Sequence, residues 1–146
     1  MTGTRTHILR ARLRPRVHRD IEIDSGDSLY GLAAAIVKAF GFDMDHAFGF
    51  YSKLTGHYYD SPVKYELFAD LEGDTDAGSV EKTTVAEAFP AVGHKMLFLY
   101  DYGDMWMFQA RVVRFGEKSS DATYPRVIAA VGEAPPQYPS LDEDEY

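Results

Sequence analysis

The chain opens on an alternation. In residues 6–14, THILRARLR, Leu9, Ala11 and Leu13 share one parity and Arg10, Arg12 and Arg14 the other, with Ile8 the apolar exception among the arginines. A period of two predicts a strand with one buried face. Pro15 interrupts the ladder because it has no N–H to donate. Val17, Ile21 and Ile23 resume the pattern, which predicts a hairpin of strands at about 6–14 and 17–23. The period then changes. Leu29, Leu32, Ala33, Ile36 and Phe40 recur at steps of three and four, the apolar stripe of a helix. Asp27 is the expected N-cap, Gly41 the expected left-handed terminator, and Gly31 is read as allowing close packing on the sheet.

Phe48 and Phe50 share a face in a short strand, 46–52. Residues 62–71 fit a strand through Val63, Tyr65 and Leu67, and a helical turn through Phe68 and Leu71. Residues 72–79, EGDTDAGS, read as a loop by composition. Thr83 or Thr84 is placed to cap a short helix, with Glu87 completing a capping box and Pro90 ending it. HKMLFLYDYGDMWMFQARVVRF reads as two strands about a turn at residues 101–104, where Asp favours the bend and Gly103 tolerates positive φ. YPRVIAAVG supplies a last strand. Hairpin, helix, strand, short helix, hairpin and strand are most economically joined as a single α+β domain. Its mostly antiparallel twisted sheet carries one main helix across a face, in a β-grasp-like arrangement. The expected boundaries are a domain over 1–134 and a Pro-rich acidic tail over 135–146.

Composition narrows the function. With 146 residues the chain suits one domain with one core. It has no Cys, which removes disulfides, thiolate nucleophiles and thiolate metal sites and fits a cytoplasmic protein. No apolar run is long enough to span a membrane, and the arginine-interrupted start does not read as a signal peptide. The net charge of −8 opposes broad attraction to DNA. The charge is uneven: arginines crowd the first nineteen residues and acids the last six. The acidic end is expected to be solvated, with folding back onto the basic start as an alternative.

Three groups of residues carry candidate chemistry. Tyr100, Asp101, Tyr102, Asp104 and Trp106 surround the second hairpin turn. Asp101 and Asp104 can be paired carboxylates for a hard cation or for acid–base work. They can equally be turn residues, with Asp101 accepting backbone N–H groups while Tyr100 and Trp106 pack across the strands. His46, beside Asp43 and Asp45, can join Asp101 and Asp104 as a weak metal candidate, but the helical i, i+4 histidine pair that makes such sites recognisable is missing. His57 and His94 read as ordinary hydrogen-bonding residues. Arg10, Arg12, Arg14 and Arg16 share a parity that can present phosphate-binding side chains, or a solvated face balanced by Glu22, Asp24 and other acids. No phosphate-loop, dinucleotide, zinc-protease or serine-hydrolase motif is present, and no cofactor is implied.

The turn also carries a resemblance. Tyr100, Asp101, Tyr102, Gly103, Asp104 and Trp106 match the Tyr-Asp-[Phe/Tyr]-Gly-Asp-x-Trp signature of the plasmid ORF-three-like family. Pro15, Val17, Arg19 and Ile21 resemble an earlier segment, and Ala39, Phe40 and Gly41 the end of that family's first helix. His46, Phe48 and Phe50 resemble its next strand. Tyr124, Pro125, Arg126, Gly132, Pro135 and Pro136 resemble its last. The chain departs from the pattern at His18 and Phe42, where tryptophan is usual, and at Val127, where cysteine is common. It departs again after Pro136, where QYPSLDEDEY replaces an acidic-glycine run. The resemblance covers residues 6 to about 136 and implies a compact α+β domain. It also implies a link to mobile elements, since the family is similar to a passenger gene of some of them that has been labelled a resolvase. The activated serine and DNA-binding helices of a serine resolvase are not found in this sequence.

The expected function is therefore non-catalytic binding or scaffolding through the aromatic turn, with a protein partner. Nucleic-acid association through the arginine strand is the first alternative. A metal-dependent enzyme with a carboxylate–histidine site is the second. A homodimer through an exposed sheet edge is a further expectation.

Overall fold

The structure, a computed structural model, describes residues 4–71 and 76–138. Eight strands form one sheet: β1 (Arg5–Arg14), β2 (Val17–Asp24), β3 (Phe48–Tyr51), β4 (Lys64–Glu66), β5 (Gly78–Ser79), β6 (Lys95–Tyr100), β7 (Trp106–Glu117) and β8 (Arg126–Val131). Their spatial order is β5-β4-β3-β6-β7-β1-β2-β8. Every pairing is antiparallel except the short β4–β5 pair. The helices are α1 (Leu29–Ala39), α2 (Leu67–Leu71) and α3 (Val85–Ala88), with a 3-10 turn at Tyr58–Asp60. The α+β domain with one main helix on an antiparallel sheet is thus observed. Residues 62–71 resolve as strand followed by helical turn. Residues 78 and 79 of the expected loop add strand β5, and residues 72–75 lie outside the described set.

The period-two and period-3.6 patterns meet in one core. Leu29, Leu32, Ala33, Ile36 and Val37 of α1 are buried against Leu9, Ala11, Ile21, Ile23, Phe98 and Phe108 of the sheet. Each such side chain contributes about 1.5–3 kcal/mol when fully buried. α1 begins one residue later than Asp27 predicts: Ser28 is the N-cap, accepting from the Gly31 N–H at 3.0 Å. Asp27 instead accepts the Ser28 N–H at 2.8 Å. Its carboxylate occupies the space above Gly31, where a Cβ would come within 2.5 Å of Asp27 Oδ1. Gly31 therefore makes room for the cap and not for the sheet. Gly41 ends α1 at φ +76°. Thr84 and Glu87 form the expected capping box on α3.

The sheet face away from α1 is not uniform. Over β3 and β6, Tyr51, Leu97 and Leu99 form a second small core beneath Tyr58 and Tyr102. Over β1 and β7 the face is open. No helix among the described residues is long and apolar enough to cross a membrane. Gln137, inside the expected tail, is buried and exchanges hydrogen bonds with Asp43: Asp43 N–H donates to its Oε1 at 2.6 Å. The acidic residues 142–145, and any contact of theirs with the basic start, lie outside the described residues.

Candidate functional site

The β6–β7 turn is built by Asp101. It adopts φ 68°, and Met105 adopts φ 56°. Aspartate tolerates the left-handed region better than most side chains because it can bond locally. Asp101 Oδ1 accepts the N–H groups of Gly103 at 2.9 Å and Asp104 at 3.3 Å. The positive φ expected at Gly103 therefore falls on Asp101 and Met105 instead, and the carboxylate supplies what a glycine's freedom was expected to supply.

Tyr100 is fully buried and presents no surface. Its hydroxyl accepts the N–H of Asp45 at 2.7 Å and of His46 at 3.2 Å, and donates to the Asp43 carbonyl. One core side chain thus pins the whole 43–46 loop. Trp106 stands opposite Tyr100 in register, but its ring packs on Phe42 at 4.8 Å between centroids. Its Nε1 is buried without an acceptor among the described residues. Tyr102 lies in the second core, stacked 5.3 Å from Phe68, with its hydroxyl 2.7 Å from that of Tyr51. Tyr51 also donates to Glu66. Burial, above all, raises the phenol pKa of Tyr51 and Tyr102, so both stay protonated. Gly49 makes this hydroxyl pair fit, since a Cβ there would lie 2.7 Å from Tyr51 Oη and 2.8 Å from Tyr102 Oη.

Asp101 and His46 do meet: His46 Nε2 is 3.4 Å from Asp101 Oδ2 and 3.5 Å from Asp45 Oδ1. Its nearest partner is the Tyr138 hydroxyl at 2.6 Å. Desolvation pulls the Asp45 carboxyl upward, but hydrogen bonds from Tyr100 and Tyr138 and the nearby His46 outweigh it and hold the group below its ordinary value. Desolvation and the bond to Asp45 push the Tyr138 phenol up to about 12. Asp104 stays apart, exposed on the turn. Among the described residues no group of three or more His, Asp or Glu could hold a metal. Gln137 and Tyr138, which complete this cluster, come from the segment in which the chain departs from the family pattern, and nothing in the sequence placed them beside His46.

The arginine strand has a different fate. Arg10, Arg12 and Arg14 do share the face opposite α1, whereas Arg16 falls in the turn after β1. Arg10 takes Asp20 in a two-point ion pair, Nε to Oδ1 at 2.8 Å and Nη2 to Oδ2 at 3.0 Å. Arg19, on the helix side, donates to the carbonyls of Ala39, Val131 and Gly132 and lies over Phe40. Register then adds residues that strand-by-strand reading did not join: Arg111 stands opposite Arg10 and Lys95 opposite Arg111, while Gln109 and His18 flank Arg12. The shared parity of Gln109 and Arg111 on β7 was a legible signal; their adjacency to β1 was not.

The fold and these sites define an α+β domain with a structural turn and an open, cationic sheet face. The chain belongs to the plasmid pRiA4b ORF-3-like protein family, whose model matches residues 4–138. It is similar in fold to the crystal structure of a protein of unknown function, MM3350 from Methanosarcina mazei Go1. That likeness has a TM-score of 0.72 and 20% identity, over 88% of this chain and 71% of that one. No curated protein sequence matches the chain.

Proposed function

We propose that this is a non-catalytic scaffolding domain that assembles with a second copy of itself through β8. The observation that carries this reading is an exposed, mostly apolar edge strand. Among the described residues β8 pairs only with β2, and its other side is the end of the sheet. All six of its residues are exposed, including Val127, Ile128 and Val131. Natural edge strands are normally protected by lysine, proline, brevity or a bulge. β8 has no lysine or proline inside it and runs six residues; its one guard is the irregularity at Ile128, which its pairing with β2 skips, and its single charge, Arg126, is bound to Glu22 at 2.7 Å.

A second copy fits better than a chain of copies. The opposite edge, β5, has only two residues, so head-to-tail pairing of β8 on β5 would make few hydrogen bonds. Antiparallel pairing of β8 with its own mate offers a six-residue strand, irregular at Ile128, and closes on a two-fold axis. Val127 and Ala130 line an apolar groove of about 650 Å³ against Ala35 and Ala39 of α1, which side chains at the junction can fill. The aromatic turn does not serve this role, because Tyr100 is buried and Tyr102 and Trp106 are engaged in the two cores. The association with mobile elements rests on the family resemblance.

Analytical ultracentrifugation tests the reading. The wild-type chain is expected to sediment as a dimer, and Val127→Lys or Val131→Lys as a monomer with unchanged circular dichroism. A wild-type chain that is monomeric across the accessible concentration range contradicts it.

A further inference from the structure

The open sheet face holds a second feature, independent of β8. Arg10 and Arg12 of β1, Arg111 and Gln109 of β7, Lys95 of β6 and His18 of β2 line one concave pocket of about 330 Å³. Two cross-strand rows build it. Asp20, Arg10, Arg111 and Lys95 stand opposite one another in the first, and His18, Arg12 and Gln109 in the second. Adjacent strands are about 4.8 Å apart, so the cationic side chains of three neighbouring strands start within about 10 Å of one another.

Such a row is unfavourable in isolation. Like charges directly opposite in a sheet repel, and here Arg10 faces Arg111, which faces Lys95. The chain carries 23 acidic residues against 15 lysines and arginines, so neutralising partners are abundant. Yet among the described residues only Asp20 enters this group, and Arg10 takes both of its oxygens. Arg12, Lys95 and Arg111 have no carboxylate of a described residue within ion-pairing distance. Two guanidinium forks, an ammonium and an amide therefore converge on one concavity with donors that no described carboxylate takes up. Guanidinium groups match the oxygens of a phosphate two at a time, and lysine adds a point charge.

We infer that this pocket binds a compact phosphate-bearing anion, a diphosphate or the phosphate end of a small ester. Size decides against an extended backbone. The pocket lies at the small end of ligand sites, which run from about 300 to 1,000 Å³. Around it, a chain of net charge −8 repels a long polyanion, while a short one reaches the cations without crossing the acidic remainder.

Isothermal titration calorimetry of the full chain with inorganic pyrophosphate tests the site. Saturable binding of one pyrophosphate per chain is expected, weakening as salt rises. Arg12→Gln/Arg111→Gln should weaken it at least about tenfold, and Lys95→Gln alone should weaken it less, which keeps the test valid if the double variant folds poorly. Arg14→Gln, outside the pocket, should bind as the wild type does. No binding by the wild type, or equal binding by the double variant, overturns the inference. So does a single-stranded oligonucleotide that outcompetes pyrophosphate with an affinity growing with its length, because the ligand is then an extended backbone. The outcome is independent of the β8 reading, since neither strand edge nor oligomeric state enters it.

Discussion

The β1–β2 hairpin presents charge at both ends of its open face and treats it in opposite ways. At the end near Thr6 every acid has a partner. Glu22 is buried, accepts from the Thr6 hydroxyl at 2.7 Å and pairs with Arg126, while Asp24 takes Lys118 at 2.7 Å. At the end near Arg12, Arg12, Lys95 and Arg111 converge with no carboxylate of a described residue within ion-pairing distance. The same pair of strands could carry neutralised charge at both ends. The contrast separates charge that holds the fold from charge left available to a ligand.

Breaking the paired end should have the largest effect. Glu22→Ala removes charge-assisted bonds to Thr6 and Arg126 from a buried carboxylate and should cost about 2–3 kcal/mol in urea unfolding. The same end should also be sensitive to acid. Desolvation raises the Glu22 carboxyl, but its bonds to Thr6 and Arg126 prevail and hold it below its ordinary value. Its contribution is therefore present above the unfolded carboxylate pKa and lost as pH falls through the folded one. Asp24, lowered chiefly by Lys118, acts in the same direction.

His7 adds a separate loss at milder pH. Its Nε2 donates to the Phe89 carbonyl at 2.8 Å and its Nδ1 accepts the Ser25 hydroxyl at 2.7 Å, a neutral ring in the interior. Burial depresses its pKa below 6.5. The unfolded chain then binds the proton first, so stability should decline as pH falls below about 6.5 and continue to decline to the folded pKa. In His7→Gln, measured by thermal unfolding across pH, that segment of the decline should vanish while the carboxylate segment below it stays.

The β6–β7 turn sharpens the comparison by about 1–2 kcal/mol, the scale of losing a local cap in a left-handed residue. Asp101→Ala should show that loss in thermal unfolding. Gly103→Ala should cost well under it, because Gly103 is not in the left-handed region and its Cβ would meet only Asp101 Oδ1, at 3.2 Å.

These residues also show what the sequence made legible. Period-two alternation located β1 and β2, the stripe Leu29–Phe40 located α1, and Thr84 with Glu87 fixed the cap of α3, because each signal is local. The turn was legible in position and in Asp101's hydrogen bonds, but its left-handed residues were not. Gly103 carries the stronger prior, and the carboxylate's bonds override it. The sequence showed an arginine comb but not a pocket, because Lys95 and Arg111 reach Arg10 only through a register set 80 to 100 residues away along the chain. It also assigned the aromatic signature to a surface. Tyr100 is instead an internal brace for the 43–46 loop, a role visible only once the loop's N–H groups are placed.

The most direct test of the contrast is the unfolding free energy of Arg12→Gln/Arg111→Gln in urea, without added phosphate, beside that of Glu22→Ala. Removing repelling, unpaired charges should leave stability unchanged or raise it by about 0.5 kcal/mol. A loss approaching that of Glu22→Ala would mean that these cations hold the fold together, and the division of the open face into a structural end and a ligand-ready end would be wrong.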